Sequence, residues 1–241
     1  MGHVSIRSHG PVDQGNLLLA AMRQELYKEA VAVELHPGEL LSAAGSSPTY
    51  AYFPAGCLVC WVGRSREGQR VELAAVGREG MAGTSTLFSE MPTAWDLEVQ
   101  VGGLAYRVPC AILKRLFFSS ARARSLLLAF GEYLLAQTGQ SCVCLAAHSA
   151  VTRLARWLLT VQDRLEIDYL PISQESLSSM IGVRRPTISL VAGKLEKAGL
   201  LTLGRSRIVI VDREALARVA CECYYLMKSY LDRYTKLLDT H

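Results

Sequence analysis

From about Leu26 to Val108 the apolar residues fall in short runs, each closed by turn-forming residues. Ala30-Val-Ala-Val-Glu-Leu35 is followed by His36-Pro-Gly38, Thr49–Phe53 by Pro54-Ala-Gly56, and Cys57–Val62 by Gly63. Arg70–Val76 runs into Gly77, and Asp96–Val101 into Gly102-Gly103. Strand-length runs punctuated in this way predict an antiparallel sandwich or barrel. Leu97, Val99 and Val101 alternate with Asp96, Glu98 and Gln100, which predicts a strand with one wet face.

The period lengthens after Pro109. A short helix is predicted to Phe118, with proline tolerated in its first turn, and a longer one from Ala121 to Ala147. Leu127, Phe130, Leu134, Ser141, Leu145 and His148 recur along it at spacings of three, four and seven, and only Glu132 is charged after Arg124. A long helix with so few charges needs cover on most sides. The expectation is its own barrel on one side and a second copy of the chain on another, with Leu127, Phe130, Leu134 and Ser141 at the dimer interface. A third helix, Ser149–Leu165, puts Leu154, Trp157, Leu158 and Val161 on one face and Arg153, Arg156 and Arg164 elsewhere.

Two shorter helices follow. Ser173 is a good N-cap, Glu175 suits the positive end of the helix dipole, and Gly182 is placed to end the helix in a left-handed conformation. A second helix begins near Arg184 or Arg185, with Ile188, Val191 and Leu195 facing inward. Small Ser178 where the helices cross and Gly182 at the tight turn make this a helix-turn-helix pattern. Leu200–Leu203 and Arg207–Val211, joined by Gly204-Arg-Ser206, read as a β-hairpin with a basic tip, the wing of a winged helix. Residues 212–236, through Cys221-Glu-Cys-Tyr-Tyr225, read as an added C-terminal helix.

Charge sharpens this picture. The net charge is +4, yet residues 1–150 carry 12 basic and 12 acidic side chains, so the whole excess lies in 151–241. Residues 170–213 alone hold 7 basic against 3 acidic residues, which suits an anionic partner for that segment. Arg184, Arg185, Thr187 and Ser189 would project from the start of the second helix, with Gln174 nearby, as groups able to bond base edges or phosphates. Lys194, Arg205 and Arg207 suit phosphate contacts. No apolar run approaches the roughly 18 residues of a membrane helix, and Met1–Pro11 has no secretory pattern. Seven cysteines, an odd number, in a chain able to build a core without disulfides suggest the cytoplasm.

The order of β-roll, long helix and winged helix, from about Leu26 to Val211, resembles the cyclic-AMP receptor protein / fumarate-nitrate regulator (CRP/FNR) family of bacterial transcription regulators. The best motif is Gly182-Val-Arg-Arg-Pro-Thr-Ile-Ser189. The resemblance puts Arg185 on the family's base-reading arginine and Thr187 on its threonine, while Pro186 replaces a base-reading glutamate and Leu190 a second arginine. It implies an α+β chain in three segments: a sensor-like β-roll (1–120), a dimerisation helix (121–148) and a winged helix-turn-helix with a C-terminal helix (149–241). It also implies a homodimer on a near-palindromic double-stranded operator, with RNA polymerase and a small-molecule effector as further partners. In Val76–Gly83, Glu79 matches the family's ribose-binding glutamate, but Pro92 stands where the arginine pairs with the cyclic phosphate. Arg78, Glu79, Thr93 and Thr138 remain as the candidate effector pocket, with cyclic AMP not expected to bind.

Other chemistry is set aside at this level. The family's iron–sulfur members use cysteines near the N-terminus, and residues 1–56 contain none. Cys57 and Cys60 form a C-x-x-C. Cys142/Cys144 and Cys221/Cys223 are pairs two apart on segments read as helices, where they would point about 200° away from each other. All are read as small buried apolar residues, so no metal, cofactor or catalytic group is expected. Two readings stay open beside a regulator: a cupin-like small-molecule-binding protein or metalloenzyme, for whose metal the barrel offers only His36, and a dimeric adaptor that does not bind DNA.

Overall fold

The computed structural model describes residues 15–88 and 91–240; Met1–Pro11 lies outside them. In chain order the elements are α1 (Leu17–Ala21), α2 (Arg23–Leu26), β1 (Val31–Leu35), β2 (Leu40–Ser42), β3 (Tyr50–Pro54), β4 (Leu58–Arg64) and β5 (Arg70–Val76). Next come α3 (Ser85–Phe88), β6 (Asp96–Val101), β7 (Gly103–Pro109), α4 (Cys110–Ser119), α5 (Ala121–Ala147) and α6 (Ala150–Leu165). The last are β8 (Tyr169–Leu170), α7 (Gln174–Ile181), α8 (Arg185–Lys197), β9 (Leu201–Gly204), β10 (Arg207–Ile210), α9 (Arg213–Val219) and α10 (Cys223–Thr240).

Two compact units result. Among the described residues, one holds 15–62, Ala75–Leu135 and 231–240; the other holds Gly63–Ala74 and Ala136–Tyr230. They divide the chain differently from the three sequence segments, since α5 is shared and the end of α10 joins the β-roll.

In the first unit β1-β7-β3 form one antiparallel sheet, and β2, β6 and β4 run antiparallel in that order in another. Val33, Leu35 and Ala105 from one sheet and Val59 and Val99 from the other share a core with Cys57 and Ala82. The alternation expected in β6 holds only in part. Asp96 and Gln100 are buried along with the apolar positions, because β6 is a central strand and its polar side is covered by the chain. The Asp96 carboxylate accepts the Ala44 N–H at 2.8 Å, which offsets its burial. Asn16 fastens the entering helix: its Oδ1 accepts from Leu19 N–H, and its amide donates to the carbonyls of Pro54 and Gly80, each at 2.8 Å.

In the second unit α6 packs its face of Leu154, Trp157, Leu158 and Val161 inward, and the Trp157 indole donates to the Glu72 carboxylate at 3.0 Å. Arg153 and Arg164, off that apolar face, are buried as well. Residues 212–236 are not a single helix. Ala220 is extended (φ −62°, ψ 148°), and a turn at 220–222 separates α9 from α10. Arg213 of α9 donates to Gln162 and Asp163 of α6 and to the Tyr224 hydroxyl, which itself donates to Asp163. This network seats both terminal helices on α6.

Candidate nucleic-acid interface

The helix-turn-helix is built by local rules. The Ser173 hydroxyl accepts the Ser176 N–H at 3.1 Å to start α7. Gly182 closes it with φ +69°, and the Val183 N–H returns to the Ser178 carbonyl at 3.0 Å, the six-to-one bond that satisfies a terminal carbonyl. A side chain at Gly182 would be strained by that backbone and pressed against Leu145. Pro186 sits in the first turn of α8, where its missing N–H costs nothing. Ile188, Val191, Ala192 and Leu195 anchor α8 on its inner side.

The outer side of α8 carries the residues singled out in the sequence. Arg184, Arg185, Thr187, Ser189 and Lys194 are all exposed. Ser189 donates to the Gln174 side-chain carbonyl at 2.8 Å, which ties the start of α7 to α8. Arg185 pairs with Glu175, and both side chains are largely exposed (63% and 71%). That ion pair is not foreshadowed by the sequence pattern, whereas Leu190, which the resemblance puts where a second arginine stands, is exposed (62%). Leu190 presents an apolar group among the polar ones, suited to a thymine methyl. The wing is a three-stranded sheet, β8-β10-β9, whose first strand escapes sequence reading because two residues carry no periodicity. Arg205 lies exposed at its tip, Arg207 lies over the Tyr169 ring at 4.1 Å, and Glu196 of α8 accepts the Leu203 N–H at 2.9 Å.

The candidate effector residues fall in both units, Arg78, Glu79 and Thr93 in the first and Thr138 in the second. Glu79 is buried with its carboxylate on the Gly77 N–H, and its carbonyl accepts from the Tyr234 hydroxyl at 3.1 Å. Thr93 is tied to Ser46, Gly45 and Trp95. Thr138 is half-buried on α5. Arg78 is half-buried beside Glu79, and Arg107 lies over the Tyr50 ring at 4.6 Å. A cavity of about 390 Å³ opens between β2 and β3 and is lined by none of them.

The residues expected at the dimer interface lie on the inner side of α5 or at its margin. Leu127, Phe130 and Leu134 are buried within the single chain, and Ser141 is half-buried. Phe130 packs at Gly80, where an added Cβ would lie 1.8 Å from its ring, and beside Tyr234, which stacks on Tyr133 (5.4 Å, 8°). The exposed stripe runs one position later, through Ser125, Leu128, Glu132, Leu135, Gly139, Cys142 and Ala146. It has the alternating spacing of three and four that suits a helix pair. Two stripes of similar period share this helix, and the bulkier one is taken by the core.

Residues 152–219 match the model of the Crp-like helix-turn-helix domain. No curated protein matches the chain. Among solved structures, FixK2 from Bradyrhizobium japonicum is similar with a TM-score of 0.69 at 19% identity, over 80% of this chain and 98% of that one. The c-di-GMP-responsive global regulator CLP of Xanthomonas campestris gives 0.64 at 19% identity, over 80% and 99%. A putative regulator of the crp/fnr family from Eubacterium rectale gives 0.64 at 16%, over 83% and 93%. No helix among the described residues is long and apolar enough to cross a membrane. The chain thus carries a Crp-like helix-turn-helix domain within the α+β fold of the CRP/FNR transcription regulators.

Proposed function

We propose that the protein is a sequence-specific DNA-binding transcription regulator, not an enzyme, which works in the cytoplasm as a homodimer. The observation that carries this reading is the two-sidedness of α8. Ile188, Val191, Ala192 and Leu195 fix its inner face, while Arg184, Arg185, Thr187, Ser189, Leu190 and Lys194 are exposed on the outer one. Such a helix has the dimensions and donors to read a major groove, with Arg185 on a guanine edge and Lys194, Arg205 and Arg207 on phosphates. The stripe through Leu128 and Leu135 supports pairing with a second copy, and two recognition helices then ask for half-sites about 34 Å apart in a near-palindrome. Any small-molecule effector and the contact with RNA polymerase belong to the same proposal.

Selection of bound sequences from random duplexes tests it. Enrichment of a near-palindrome bound at nanomolar concentration is the expected result. A selection that yields no consensus, with affinity that depends on salt alone, would overturn the reading in favour of an adaptor.

A further inference from the structure

Cys144, His148, Cys221 and Cys223 come together in the second unit, their four ligand atoms all within 4.8 Å of one another. Cys144 and His148 are one turn apart at the end of α5, and the His148 N–H still bonds the Cys144 carbonyl at 3.2 Å, so both face the same way. Cys221 lies in the turn after α9, outside any helix, and Cys223 opens α10. The divergence of residues two apart on one helix therefore does not separate this pair. The three thiols form a buried cluster composed of themselves, which is not how cysteines used as small apolar filler pack among aliphatic side chains.

The distances match a mononuclear tetrahedral site. Bonds of about 2.3 Å to sulfur and about 2.0–2.1 Å to nitrogen set edges of about 3.8 Å between sulfurs and about 3.6 Å between sulfur and nitrogen. Cys144 Sγ and Cys221 Sγ are 3.6 Å apart, and Cys223 Sγ is 3.5 Å from His148 Nδ1. A disulfide would engage only two of the four groups and requires sulfurs at about 2.05 Å. An iron–sulfur cluster would place its own atoms between the protein ligands and spread them further than this.

The surroundings are those of a metal-bound imidazole and thiolate. His148 turns Nδ1 to the thiols and places Nε2 3.0 Å from the Glu222 carboxylate, the arrangement that fixes a metal-bound ring and raises its basicity. The Gln140 amide donates to Cys223 Sγ at 2.9 Å.

We propose that Cys144, His148, Cys221 and Cys223 form a closed Cys₃His site for a divalent, thiolate-preferring ion of the zinc class, with Glu222 as a positioning residue. With every position filled by protein, such a site is structural: it pins the end of α5 to the turn that opens α10.

Elemental analysis of the full chain, purified under reducing conditions and dialysed against excess zinc, tests this together with cobalt substitution. The expected result is one ion per chain, and a Co²⁺ form with the intense visible bands of tetrahedral coordination and sulfur-to-metal charge transfer. Cys221→Ser and His148→Ala should lose most of the bound ion, while Cys142→Ser, outside the cluster, should keep it. Glu222→Gln should retain the stoichiometry but bind about 10- to 100-fold more weakly. If the substituted chains fail to fold, the cobalt spectrum of the unaltered protein still decides. Less than about a tenth of an ion per chain after zinc dialysis, a weak octahedral cobalt spectrum, iron with inorganic sulfide, or a Cys144–Cys221 disulfide under these conditions would each overturn the proposal.

Discussion

Arg185→Ala, set against Glu175→Gln, puts the recognition helix to its strictest test. In the free protein Arg185 is held by Glu175, but both are so exposed that the pair is worth at most about 1 kcal/mol. A bidentate arginine on guanine is worth about 1–3 kcal/mol of discrimination, so the exchange of partners on binding is downhill. Arg185→Ala should then weaken a selected operator by about 5- to 150-fold per half-site and leave thermal stability nearly unchanged. Glu175→Gln frees the guanidinium and removes a negative charge near the phosphates, so it should tighten binding by up to about 1 kcal/mol per half-site. In the double variant the part of that gain that passes through Arg185 disappears. Fluorescence anisotropy on the operator and on a scrambled duplex, at two salt concentrations, separates the terms. If Arg185→Ala weakened both duplexes equally, it would be a phosphate contact and the docking of α8 would be wrong.

Lys194→Ala should weaken all duplexes alike and flatten the salt slope by about 0.9 for each phosphate it no longer neutralises, as read from binding at several ionic strengths. Leu135→Glu, at an exposed position of α5, should shift the protein toward monomer in sedimentation and weaken operator binding, whereas a dimer as strong as before would move the interface elsewhere. Gly80→Ala drives a methyl into the fully buried Phe130 ring, so it should cost at least about 1–3 kcal/mol in urea denaturation and be relieved by Phe130→Leu; an unchanged midpoint contradicts that packing. Cyclic AMP at micromolar concentration should give no heat of binding, because Pro92 offers neither charge nor N–H and both the Thr93 N–H and hydroxyl are already engaged.

What the sequence made legible was governed by neighbours in the chain. Ser173, Gly182 and Pro186 each act within one turn of helix, so the helix-turn-helix could be read residue by residue. The long helix was legible as a helix but not in its facing, since Leu127-Phe130-Leu134 and Leu128-Leu135 obey the same period and only the β-roll and Tyr234 decide between them. Asp96 looked solvated because nothing nearby in the sequence announces the Ala44 N–H, 52 residues away, that offsets its burial. The cysteine cluster was hidden for the same reason. Its pairs look unconnected when taken one at a time, whereas Cys144 and Cys221 are 77 residues apart and no glycine or proline announces the break at Ala220.

The hydrogen bond from the Tyr234 hydroxyl to the Glu79 carbonyl joins residues 155 positions apart, and it bears on how the protein is made. On a ribosome the strands of the β-roll emerge early, yet the ring that stacks on Tyr133 and flanks Phe130 arrives only after the whole winged-helix segment. Until then the first-made half of the chain carries an uncovered aromatic surface, and closing a loop of that length is slow. The nascent protein therefore passes through a stage in which its oldest domain is its least finished, the stage at which chaperones would engage it.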